Sequence, residues 1–187
     1  MKLSILICSL VSRLDQLSRL RDYLTQQIGS RISLVEIVIL TDAGQKSTGK
    51  KRQELLQYAN GEYVVFIDDD DWVNEYYVDE MLRACESGAD CFAINGIMTT
   101  DGQHETKWYL SKDFKNEDRK EGNKTVYYRH TNHITGVKRS IALAAGFPDK
   151  SNAEDKFYSD RLVLRTEFKI DRPMYHYRFS TKNKTYK

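Results

Sequence analysis

Four short apolar segments, each separated from the next by a stretch with helical spacing, constrain this chain more than any other feature. Residues 2–8 (KLSILIC), 34–40 (LVEIVIL), 62–67 (EYVVFI) and 89–94 are apolar and β-prone, the character of buried strands. Between the first two, Leu14, Leu17, Leu20, Tyr23, Leu24 and Ile28 recur at steps of three and four, drawing one helical stripe over 14–28 that Gly29 stops. Helical spacing returns at Leu55, Leu56 and Ala59 before Gly61, and again over 74–86. The order β-α-β-α-β-α-β over the first 94 residues predicts parallel pairing and a doubly wound sheet flanked by helices. Ligands of such sheets bind beyond the carboxyl ends of the strands.

The second half is patterned differently. Residues 99–125 are polar and turn-rich, with a hairpin expected across Asp101-Gly102 and a mobile surface loop over 112–124 (KDFKNEDRKEGNK). Short helices are expected at 138–145, ended by Gly146, and at 154–166, and a last strand at 174–179. Neither an internal repeat nor a linker divides the 187 residues, so one domain spanning 1–187 is expected.

Composition narrows the class. A net charge of +2, from 29 basic and 27 acidic residues, excludes a strongly basic nucleic-acid coat and a polyacidic tail. With 40% hydrophobic and 30% charged residues the chain can bury a core. No apolar run approaches a membrane span, and the opening MKLSILICSL lacks a cleavage site, so a cytoplasmic protein without an integral membrane segment is expected. The three cysteines, Cys8, Cys85 and Cys91, have no metal-type spacing and are expected to be reduced. The sequons at Asn123 and Asn183 then carry no consequence.

The run Asp68-Asp69-Asp70-Asp71 follows the third strand directly. Adjacent carboxylates repel, and Mg²⁺ or Mn²⁺, which takes hard oxygen ligands together with substrate phosphates, would compensate them. The alternative is a solvated acidic turn that caps the next helix. Asp42 ends the second strand, where it could accept hydrogen bonds from a base or ribose, or serve its own turn. Lys51 and Arg52 lie in a basic segment opening a helix, where cations oppose the macrodipole; they could face a diphosphate or simply solvent, and Arg13 has the same ambiguity. Glu154-Asp155 stands at the start of a helix, placed for general-base work or for capping, with Arg161 as a structural partner. His133 and His176 could each complete a metal site or be ordinary histidines.

Taken in order, these segments resemble nucleotide-sugar glycosyltransferases of the GT-A fold, family 2 type, over nearly the whole chain. KLSILICSL is similar to the opening nucleotide-binding strand and VEIVILTDAG to the strand ending in a base-reading aspartate. GKKRQELLQYANGEYVVFIDDDDW resembles the helix, strand and Asp-x-Asp centre, and RSIALAAGFPDKSNAEDKFYSDRLVLR the acceptor half with its Glu-Asp base. The resemblance implies a single Rossmann-like GT-A domain with a mixed, mostly parallel sheet. Residues 1–98 would be the nucleotide-sugar half and 99–187, with a basic C-terminal tail, the acceptor half. It implies metal-dependent, inverting transfer from a UDP-sugar to an acceptor hydroxyl. Asp155 would be the base, with Glu154 beside it. Asp68, Asp70 and His176 would hold Mn²⁺ or Mg²⁺, with Asp69 and Asp71 as alternative ligands and His133 competing with His176. Ser9, Arg13, Asp42, Lys51, Arg52 and Asp69 would contact the nucleotide, and His133, Trp72 and Arg161 the acceptor or donor sugar. The acceptor stays open among a glycan, a lipid-linked sugar and a modified nucleobase.

Two other classes remain. A sugar-phosphate nucleotidyltransferase shares the sheet and acidic ligands but should carry a glycine- and lysine-rich loop after the first strand, which Ser9-Leu10-Val11-Ser12-Arg13 is not. A non-catalytic nucleotide- or sugar-binding module would have no need of Asp68, Asp70 and Asp155.

Overall fold

The computed structural model describes residues 1–181; the basic tail and Asn183 lie outside the described residues. Strand β1 (Leu3–Leu10) lies between β2 (Val35–Asp42) and β3 (Tyr63–Phe66), parallel to both. Helices α1 (Leu14–Ile28) and α2 (Thr48–Tyr58) form the crossovers. A two-residue strand β4 (Trp72–Val73), helix α3 (Tyr77–Glu86) and strand β5 (Cys91–Thr100) follow. The second half adds β6 (Gln103–Leu110), β7 (Glu117–Glu121), β8 (Lys124–Arg129), β9 (Val137–Lys138), α4 (Arg139–Ala145), α5 (Glu154–Arg161) and β10 (Glu167–Phe179).

All strands join one mixed sheet, ordered β2-β1-β3-β9-β5-β6-β8-β7, with β10 pairing β5 in parallel and β4 antiparallel. The two-residue β9 sits antiparallel between β3 and β5, so the fourth apolar segment keeps the direction of β3 without pairing with it.

The continuous apolar runs are explained by burial on both faces. Leu3, Ile5 and Ile7 of β1 and Tyr63 and Val65 of β3 pack toward α1 and α3, against Leu17, Leu20, Leu24 and Met81. Leu6, Val64 and Phe66, one residue out of phase, pack toward α2, α4 and α5, against Leu55, Leu56, Ala142 and Tyr158. Gly29 ends α1 with φ +55°, a conformation open to glycine at little cost.

Three expectations for the second half change. The segment 112–124 is not all loop: Glu117–Glu121 is a strand paired with β8, exposed along its whole length. An edge strand with charges on both faces has no alternation to reveal it. Helix α5 stops at Arg161 rather than 166, because Leu162 turns extended (ψ 123°) and leads the chain toward β10. That last strand begins at Glu167, not 174; its polar start and Pro173 conceal it, and register shifts flank the proline, where the strand tolerates the missing N–H. The hairpin across Asp101-Gly102 is present, both residues having positive φ.

Candidate active site

Beyond the carboxyl end of β3 lies a cavity of about 630 Å³. Arg52, Asp68, Asp71 and His133 line one side, and Ala153, Glu154 and Asp155, at the start of α5, line another. The remaining floor comes from β5, β6, β8 and β10.

The aspartate run is four residues with four different environments. Asp68 Oδ1 accepts from Arg52 Nη2 at 2.8 Å, and His133 Nε2 lies 3.4 Å from Oδ2. Burial pushes this carboxyl up, but Arg52 and His133 outweigh it and hold Asp68 well below the usual carboxylate range. Asp69 is buried, accepting from Ser9 Oγ at 2.6 Å and facing Arg13 at 3.1 Å. Asp70 is half-buried and pairs with Arg13 at 2.9 Å. Asp71 turns toward β10, accepting from the Tyr175 hydroxyl at 2.8 Å and the Arg178 amide at 2.7 Å. Burial raises the last three, most of all Asp71, with neighbouring aspartates adding to the effect.

Helix α2 supplies the buried cations. Its inward positions 51, 52, 55, 56 and 59 include Lys51 and Arg52, each 4% exposed. Lys51 Nζ donates to Asp42 Oδ1 at 2.7 Å and to the Ser9 carbonyl at 3.0 Å. The hydrogen bond from Lys51 holds Asp42 down, to about 2, while the Lys46 amide donates to its other oxygen. Arg52 joins the two halves of the site, with Nη1 on Glu154 Oε1 at 2.9 Å, Nη2 on Asp68 and His133 Nε2 3.0 Å away. The sequence left both cations open between a diphosphate and solvent; here Lys51 pairs with Asp42, and Arg52 with Asp68 and Glu154.

Glu154 and Asp155, adjacent in sequence, differ in role. Glu154 is buried against Arg52, with burial raising its carboxyl. Asp155 is half-buried on the cavity wall, and its one hydrogen bond among the described residues is from the Lys156 amide, 2.8 Å. Ala153, just before them, has φ +58°, a strained conformation for a residue with a Cβ, directly on the cavity.

Gly49 fixes how α2 meets this segment. Its N–H donates to the Lys150 carbonyl at 2.8 Å, and a Cβ there would lie 2.0 Å from the Pro148 carbonyl oxygen. Gly49→Ala is therefore expected to push α2 off the 148–150 turn and cost about 2 kcal/mol, read as a lower urea midpoint at unchanged slope. An unaltered midpoint would show that the turn yields freely.

Ser9, Arg13, Asp42, Lys51, Asp69 and Asp70 do not line the cavity, and the remaining sequence candidates also lie apart from it. His176 faces Asn74, its Nε2 2.7 Å from Oδ1, and β10 presents the next residue, Tyr177, to the cavity instead. His133, not His176, is the histidine brought to Asp68. Trp72 stacks on Tyr23 at 4.8 Å, and Arg161 rests over the Phe157 ring at 5.0 Å rather than on Asp155. Sequence reasoning missed the floor residues Met98, Trp108, Leu110, Tyr127 and Tyr177. Alternation along β6 was their only signal, since strand pairing distant in sequence brings them together. Among the described residues no three His, Cys, Asp or Glu side chains converge as a ready metal cage.

Comparison with known proteins agrees with this architecture. The family model described as "Glycosyl transferase family 2" matches residues 20–142. The chain is 26% identical over 141 residues to the putative glycosyltransferase EpsH of Bacillus subtilis, covering 70% of this chain and 41% of that protein. Among solved structures it is similar to S. aureus TarS 1-349 in complex with UDP-GlcNAc, at TM-score 0.72 and 17% identity over 95% of this chain and 58% of that one. The complex of the same TarS fragment with UDP gives TM-score 0.71 and 17% identity, over 96% and 61%. This chain thus spans less than two thirds of each of these relatives, and at such identity the structural likeness concerns the fold.

Proposed function

Because the chain belongs to glycosyltransferase family 2 and has the GT-A fold, we propose that it is a glycosyltransferase that moves a sugar from a UDP-sugar to an acceptor hydroxyl with inversion at the anomeric carbon. The observation that carries this reading is a cavity with Asp68 on one wall and, on another, Asp155, bound among the described residues only by a neighbouring amide. Residues 1–98 would hold the donor and the following segments the acceptor.

The reaction follows from the cavity's own groups. Asp155 takes the proton of the acceptor hydroxyl. The hydroxyl oxygen attacks the anomeric carbon from the face opposite the leaving group, and the bond to the diphosphate oxygen breaks with its electron pair departing on UDP. Glu154 keeps Arg52 in place, and Arg52 holds both Asp68 and the start of α5, so it positions the two carboxylates without reacting itself.

The aspartate run fits a divalent cation. Asp69 and Asp70 share Arg13, Asp68 shares Arg52 with Glu154, and Asp71 accepts from the Tyr175 hydroxyl and the Arg178 amide, so the run's carboxylates outnumber the two guanidinium groups paired with them. Asp68 and Asp70 are the residues that would hold Mn²⁺ or Mg²⁺, with His133 beside Asp68. Such an ion supplies charge stabilisation to the departing diphosphate.

Calorimetric titration of UDP with and without Mn²⁺ tests the reading. Metal-dependent binding that Asp70→Ala weakens at least tenfold, a loss of about 1.4 kcal/mol, is expected. Equal binding without metal would remove the metal requirement, and no nucleotide binding at all would remove the transferase reading.

A further inference from the structure

The cavity floor is a flat patch of sheet face, and its residues are brought together by register. Across β10, β5, β6 and β8, Tyr177 pairs with Met98, Gly96 with Trp108, Trp108 with Tyr127 and Leu110 with Arg129. Because partners directly across a ladder share a face, these side chains form one surface, aromatic and apolar but for Arg129, whose guanidinium lies over the Tyr127 ring at 4.9 Å. Gly96 is part of its construction: a Cβ there would lie 2.5 Å from Cζ2 of Trp108, so the missing side chain lets the indole lie down on β5. Trp108 is 6% exposed, and its Nε1–H is buried without a hydrogen-bond partner among the described residues. A buried donor left unmatched costs about 1–3 kcal/mol, so an oxygen brought by a ligand would relieve it. At the rim, Ser151 and Asn152 line the cavity with side chains that have no hydrogen bond among the described residues, next to Asp155.

Resting on the transferase reading, we propose that this floor is the acceptor subsite and that the acceptor is a neutral pyranose ring, the terminal sugar of a glycan. One face of such a ring is a sheet of axial C–H bonds, which lies against an aromatic floor as apolar surface does. Its edge carries hydroxyls in every direction. One meets the indole N–H, others meet the amide and hydroxyl of Asn152 and Ser151, and one is presented to Asp155 for deprotonation. An alkyl chain would cover the floor but leave the indole N–H unmatched. A nucleobase is the competing flat ligand.

Saturation-transfer NMR, with UDP and Mn²⁺ present, separates these ligands. The probes are the methyl β-pyranosides of glucose, galactose and N-acetylglucosamine, beside thymidine and hexyl phosphate. At least one pyranoside should receive saturable transfer, strongest at the axial protons of one ring face. Its affinity should fall about tenfold in Trp108→Phe, which removes the indole N–H, and also in Tyr127→Leu, a less buried position that guards against misfolding of the first variant. Transfer to thymidine or hexyl phosphate alone, to no probe, or to a pyranoside with unchanged affinity in both variants would overturn the proposal. UDP binding in the same samples separates the two levels. UDP binding without pyranoside binding removes only the acceptor assignment, whereas loss of UDP binding as well removes the transferase reading beneath it.

Discussion

Asp155→Asn is expected to slow UDP release from a UDP-sugar by about 10²- to 10⁴-fold, the usual contribution of a positioned general base. UDP affinity should stay at the wild-type value. The fold should be unaffected, because the side chain's single hydrogen bond comes from the Lys156 amide and an asparagine oxygen accepts it equally well. A change in stability beyond about 0.5 kcal/mol would mean that the residue is structural. The neighbouring residue provides the contrast. Glu154 is buried on Arg52, so Glu154→Gln should lower the melting temperature more than Asp155→Asn does. If both variants lose rate equally with no change in melting, the base is not confined to Asp155. A normal rate in Asp155→Asn would end its assignment as the base. Single-turnover UDP release and thermal melts on the two variants make the comparison.

Arg52→Met should have the largest effect on stability. The guanidinium is the shared partner of Asp68, at 2.8 Å, and Glu154, at 2.9 Å. It also lies over the rings of Phe66 and Phe147, each 5.8 Å from its centre. Methionine matches the apolar stem but leaves Glu154 buried, and Asp68 half-buried, without their cation. Breaking a buried ion pair by removing one partner costs about 3–5 kcal/mol, or about 10 °C of melting temperature for a chain of this size. Arg52→Lys should recover only part of this, since one ammonium cannot span two carboxylates as a planar fork does. Adding Glu154→Met to Arg52→Met should restore stability relative to the single variant by removing one of the stranded charges. If it does not, Arg52 acts through packing rather than through charge. Thermal melts and urea midpoints on the three variants decide between these.

Both experiments turn on residues that the sequence displays plainly but does not explain. Glu154 and Asp155 are one step apart in the chain and identical in chemistry. A helix turns by about 100° per residue, so the start of α5 sends one carboxylate inward to Arg52 and leaves the other on the cavity wall. Lys51 and Arg52 read as facing either a diphosphate or solvent, because charge is seldom buried without a partner. Their positions, in phase with Leu55, Leu56 and Ala59, were the available sign that they point inward. The resemblance favoured His176 over His133 as the metal ligand, whereas strand alternation in β10 and the place where 130–135 meets β3 bring His133 to Asp68 instead. The Phe66 amide donates to the His133 carbonyl at 3.1 Å, which brings that residue beside Asp68.

What the sequence determined by itself is the first half of the fold and the class of protein. Apolar runs buried on both faces and helical stripes are local patterns with periods of a few residues, and they place β1, α1, β2, β3 and α3 within a few residues of their observed bounds. The ordered motifs sufficed for the glycosyltransferase family and the GT-A fold. Tertiary structure alone decided the rest. The charged strand β7 has no pattern because both its faces meet water, and β10 is hidden by a proline that only a bulge accommodates. The cavity floor is assembled from β5, β6, β8 and β10, strands that the chain reaches up to about 80 residues apart. Which side chains share that face depends on register, a long-range property set by which strands pair, and no local period encodes it.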